Sequence, residues 1–135
     1  MEMKSRKENT LMFYAIVIAS LLGTFAFSIV FSIFDLKEQS IDVIDNIKII
    51  AYIWPLAAYV GVLSGVIGGM SAYLFLKRYG LFNWASASSV GGIIGYLVSL
   101  TIDGLMWICI AVGAGSAFFA WGLYKYFIHA TQKAS

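Results

Sequence analysis

Four hydroxyl residues recur at four-residue steps early in the chain, at Ser20, Thr24, Ser28 and Ser32. That spacing sets them along one side of a helix. Two chemistries suit such a row. In the first, each hydroxyl returns its hydrogen bond to a carbonyl one turn back and serves helix packing; in the second, the row faces water and lines a pore. Packing is the reading adopted, with a polar pore stripe as the alternative. A second group is acidic. Asp35, Glu38, Asp42 and Asp45 fall within about 80° of one another on a helical projection, opposite Leu36, Val43, Ile44 and Ile47. The spacing predicts a short amphipathic helix over 35–48, apolar side inward and acid side toward water. Such a face is either simply solvated or a contact for a basic partner. It lacks the Gly-centred turn and dense oxygen spacing of a calcium loop.

Other reactive groups are sparse. His129 is the single histidine and Cys109 the single cysteine, so two-histidine haem ligation within one chain and an internal disulfide are both excluded. No Ser-His-Asp set, Cys-His pair or Walker loop occurs. Catalysis and ion coupling in membranes rely on ionisable groups at depth, and the long apolar runs carry none in their interiors. The expectation is no catalytic residue, no cofactor and no metal.

The elements that must carry these side chains are long and apolar. Of 135 residues, 61% are hydrophobic and 12% charged, against roughly 25% charged in a soluble domain. Runs of about 20 apolar residues, the length that crosses a hydrocarbon core, occur at 11–34, 49–76, 81–102 and 105–128. The first follows Lys4, Arg6 and Lys7 as a signal peptide would, but its 24 residues end without a small-residue cleavage pattern, so a retained helix is expected. Pro55 near the start of the second run predicts a late start, a tilt or a bend there. Asp103 and Gly104 leave room only for a tight turn between the last two runs, which predicts an antiparallel hairpin. The whole chain, 1–135, is expected to be one all-α, polytopic membrane domain: four transmembrane helices in an up-down bundle.

Charge placement orients it. Lys4, Arg6, Lys7, Lys77, Arg78, Lys125 and Lys133 fall at the two ends and the second loop, with only Lys37 and Lys48 on the other side, so both termini are expected in the cytoplasm. Trp54 and Trp107 sit at the outer level, Trp84 and Trp121 at the inner, as amphipathic rings prefer. The net charge of +2 is too small for nucleic-acid binding.

Helices associate in lipid through close backbone approach. The second run carries Ala57, Gly61, Gly65 and Gly69 in four-residue steps, with Ser64, Gly68 and Ala72 alongside; the third carries Ala87, Gly91, Gly95 and Ser99. These glycine-rich faces are expected to pack helices, against each other within one chain or in a homo-oligomer or a complex with another membrane protein. The first run lacks the carboxylate of small multidrug exporters, and nothing matches the hydroxyl-aromatic signature of fluoride channels. In size, four-span layout and cytoplasmic termini the chain resembles the immunity proteins that protect bacteria from pore-forming colicins, and also holin-like and phage-exclusion proteins. This resemblance covers topology and carries no diagnostic motif. The function expected is that of a non-enzymatic interaction protein of the bacterial inner membrane, an immunity or defence subunit; the alternative is a homo-oligomeric channel or holin-like pore.

Overall fold

The computed structural model describes residues 2–38, 43–101 and 106–134. Four helices account for nearly all of them: α1 (Glu2–Glu38), α2 (Val43–Arg78), α3 (Trp84–Ser99) and α4 (Met106–Ala134), with no strand among the described residues. Three stretches, Glu2–Ile33, Ile47–Arg78 and Met106–Ala134, are long and apolar enough to cross a membrane. The exterior fits that setting. Tyr52, Leu56 and Ile67 on α2 are each more than two-thirds exposed, an apolar surface that water would not tolerate over such an area.

Local chemistry sets the helix ends. At the close of α2, Gly80 adopts φ 67°, and its N–H donates to the Lys77 carbonyl while the Leu81 N–H donates to that of Leu76. These two bonds satisfy carbonyls that the helix end leaves free, and the left-handed conformation they need suits glycine. Three residues on, the Asn83 side chain accepts from the Ser86 N–H while the Ser86 hydroxyl accepts from the Asn83 N–H, a reciprocal cap that starts α3 at Trp84. The helix expected over 81–102 is therefore shorter. Its first residues are used in the turn, and 16 helical residues reach about 24 Å.

Two further expectations change. The separate helix over 35–48 does not form as its own element: Asp35 and Glu38 belong to the end of α1, and Asp45 to the first turn of α2. With no glycine or proline between Gly23 and Pro55, α1 and α2 extend into this segment instead of ending at its borders. Asp42, and the turn expected at Asp103 and Gly104, lie outside the described residues. The late start expected from Pro55 is also absent, because α2 begins at Val43 and continues through the proline.

The helices run antiparallel in steady register. Along α1 and α2, Thr24 faces Gly61, Ser20 faces Gly65 and Ile16 faces Gly69, and four turns of this pairing end at Glu8 and Lys77. Along α3 and α4, Gly91 faces Gly113 and Gly95 faces Cys109. α1 also packs on α4, with Gly23 against Ser116. The spatial order is thus α2, α1, α4, α3, and the outer pair, α2 and α3, scarcely touch.

The best-packed region lies at the end where α1 starts and α2 and α4 finish. Met12, Ala15, Ile16 and Ala19 of α1 are buried there against Tyr73 of α2 and Ala120 and Tyr124 of α4. Ala15 and Ala19 permit the close approach of α1 to α4, as small residues do in lipid.

Candidate functional site

The small-residue rows have definite partners. A Cβ on Gly91 would overlap the Gly113 carbonyl oxygen, and one on Gly95 would overlap that of Cys109. α3 and α4 therefore meet backbone to backbone, with Ala87, Gly91, Gly95 and Ser99 all buried along the seam. On α2 the row faces side chains instead: Gly61 receives Thr24, Gly65 receives Ser20, and Gly69 receives Ile16. The two rows thus face α4 and α1, not each other. Ala57 continues the α2 row into an opening between α2 and α3.

That opening is the concave feature into which both rows lead. It is a cleft of ≈ 590 Å³ with α2 and α3 as its walls and α1 and α4 as its floor. Along α2 its lining extends from Ile53 to Leu76, about 35 Å of helix. Val60 and Ser64 line one wall and Val90, Ile94 and Val98 the other. Beside it the two walls approach each other, for a Cβ on Gly68 would lie 2.9 Å from Ile94 Cδ1. Tyr73 and Phe82 line its inner end. Among the described residues, no carboxylate, histidine, lysine or arginine lines it.

The hydroxyl row divides along this cleft. Ser20 and Thr24 line it, whereas Ser28 and Ser32 are buried. Thr24 donates to the Ser20 carbonyl at 2.9 Å and Ser28 to the Thr24 carbonyl at 2.9 Å. Those bonds satisfy the hydroxyls within their own helix, the geometry that packing uses. Ser64 and Ser99 do likewise, to the Gly61 and Tyr96 carbonyls. Neither chain comparison nor fold comparison adds a relative: no known protein family matches, and no curated protein or solved structure is significantly similar. The site stands on its own geometry.

At the inner end of the cleft lies a cluster that sequence reasoning missed. The Tyr73 and Tyr124 hydroxyls are 3.1 Å apart, and both rings meet Phe82 edge-on at centroid distances of 5.1 and 5.6 Å. Above them Lys77 Nζ donates to Glu8 Oε2 at 2.8 Å and lies 5.4 Å from the Tyr73 ring centroid. Partners 51 and 69 residues apart leave no local sequence signal.

The acidic group is represented by Asp45, which is exposed and 4.0 Å from Lys48, a surface pair of little energetic weight. Among the described residues no cluster of histidine, cysteine or carboxylate side chains is placed to hold a metal. What the arrangement does offer is an apolar groove about 35 Å long with aromatic rings at one end and Lys77 beside them.

Proposed function

We propose that the chain is a non-enzymatic integral membrane protein that acts by contact with another membrane component, as an immunity or defence subunit of a bacterial inner membrane. The observation that carries this reading is the exposed apolar face of α2 at Tyr52, Leu56 and Ile67, beside a cleft whose lining, among the described residues, has none of the charged groups that catalysis or ion coupling relies on. In this reading the chain crosses four times and both termini are cytoplasmic. The ends of the crossings that carry Glu8, Lys77, Phe82 and Tyr124 lie together, and that end bears most of the lysine and arginine. α3 crosses as the partner of α4, its 16 helical residues flanked by apolar Leu81, Phe82 and Leu100. The glycine-rich seams hold the bundle, and a second copy or another membrane protein meets its exposed helix faces.

A homo-oligomeric channel or holin-like pore is the second reading, favoured by Ser20 and Thr24 in the cleft lining. One pair of measurements tells them apart. Purified protein in liposomes leaves ion flux at background, and cells expressing it survive challenge by a pore-forming toxin or a phage. Single-channel currents that disappear in Thr24→Leu would instead establish the pore, and expression without protection against any such challenge would remove the defence role.

A further inference from the structure

We propose that the cleft between α2 and α3 is a binding site for one acyl chain of an anionic phospholipid, whose headgroup rests on the basic inner rim beside Lys77. The inference rests on membrane residence alone and not on which protein the chain contacts.

Dimensions select the occupant. The cleft is long and slender, ≈ 590 Å³ spread over about 35 Å of helix. A helix with its side chains is at least about 10 Å wide, whereas a single file of methylenes meets its neighbours at about 4 Å and lies along a groove of that shape. The lining disfavours water, because it is mostly apolar and the Thr24 and Ser64 hydroxyls are already bonded to their own helices. In a bilayer the medium that fills such a groove is a lipid tail.

Charge selects the headgroup. The inner mouth, at Tyr73 and Leu76, adjoins Lys77 and Arg78, the basic last turn of α2. At the same end α1 contributes Lys4, Arg6 and Lys7 and α4 contributes Lys125 and Lys133, against only Glu2 and Glu8. Glu8 neutralises Lys77 in part, leaving the rim basic and suited to a phosphate without a compensating cation. At the outer end of the groove, at Ile53 and Thr101, the described ion pair is Asp45 with Lys48, a lysine already matched by a carboxylate.

The test uses the full chain in proteoliposomes doped with phosphatidylglycerol carrying a diazirine midway along one acyl chain, followed by illumination and peptide mapping. Label is expected on Val90 and Ile94 in addition to the outward-facing Ile67 and Leu74. Ser64→Phe and Val90→Phe, which fill the groove from opposite walls, each reduce the cleft label while leaving the outward label unchanged, so one suffices if the other misfolds. Excess unlabelled phosphatidylglycerol competes for the cleft label about fivefold better than phosphatidylcholine, and the paired variant Glu8→Gln with Lys77→Gln narrows that preference. Label confined to Ile67 and Leu74 overturns the proposal, as does equal competition by the two lipids. So does a dimer on size exclusion whose second copy shields Val90 and Ile94.

Discussion

Tyr73 and Tyr124 share a hydrogen bond of 3.1 Å between their hydroxyls across the buried end of the bundle, fastening α2 to α4 although α1 lies between them for most of their length. Each ring is almost wholly buried, so each hydroxyl depends on the other. Tyr124→Phe is expected to strand the Tyr73 hydroxyl and lower stability by about 1 kcal/mol. The double change to Phe at both positions should recover part of that loss, because no polar group is then left unpaired. A double-mutant cycle read by unfolding in detergent checks the pair.

The ion pair above those rings is a separate fastening. Glu8 and Lys77 are only partly shielded, their side chains 25% and 34% exposed, so Coulomb attraction is discounted by nearby solvent and Glu8→Gln should cost no more than about 1 kcal/mol. Exchange of the two charges, Glu8→Lys with Lys77→Glu, is expected to restore stability. A loss equal to the sum of the two single changes would show that the partners do not act together.

Glycine at the α3 and α4 seam is expected to be far less replaceable than glycine on the outer face of α4. Gly95→Val would drive a side chain into the Cys109 carbonyl and should cost about 2 kcal/mol or more, as overpacking does. A Cβ at Gly115 or Gly122 meets nothing within 4 Å, so alanine there should leave thermal stability unchanged or slightly raised. Detergent melting of the three variants distinguishes these cases.

Gly80→Ala should cost about 1 kcal/mol, since φ 67° places a side chain in the left-handed region. The same change at Gly92, helical and with only ordinary contacts about its Cβ position, should be neutral or mildly stabilising.

Orientation is open to a direct measurement. In a Cys109→Ser background, single cysteines placed at Ser5 and at Tyr79 are expected to react with an impermeant maleimide only when it is supplied from the cytoplasmic side. Reaction of the two from opposite sides would refute the four-span threading.

How far the sequence foretold this arrangement depends on the range over which each feature is set. The long helices follow from apolar runs, a local property. The shortening of α3 follows from Gly80, Asn83 and Ser86, also local, but a hydropathy reading passes over turn chemistry. The described residues of the helix expected across 35–48 are divided between the end of α1 and the start of α2, because periodicity describes a face and not where an element ends. The small-residue rows were visible, yet their partners were not: whether Gly65 meets Ser20 or Gly91 depends on which helices are neighbours. The cleft was the least legible feature of all. It exists because α2 and α3 stand apart, a property of the whole bundle that neither helix encodes alone.

The backbone contact between α3 and α4 bears on how the protein is made. A helix of 16 residues falls below the roughly 20 needed to span hydrocarbon unaided, so in the four-span arrangement α3 is a poor substrate for insertion while it is the last segment to have left the ribosome. In that arrangement the Gly91 and Gly95 surface gains its complement only once α4 emerges, and the two segments are expected to enter the bilayer as one hairpin. The third crossing would then be decided late in synthesis, by the segment that follows it.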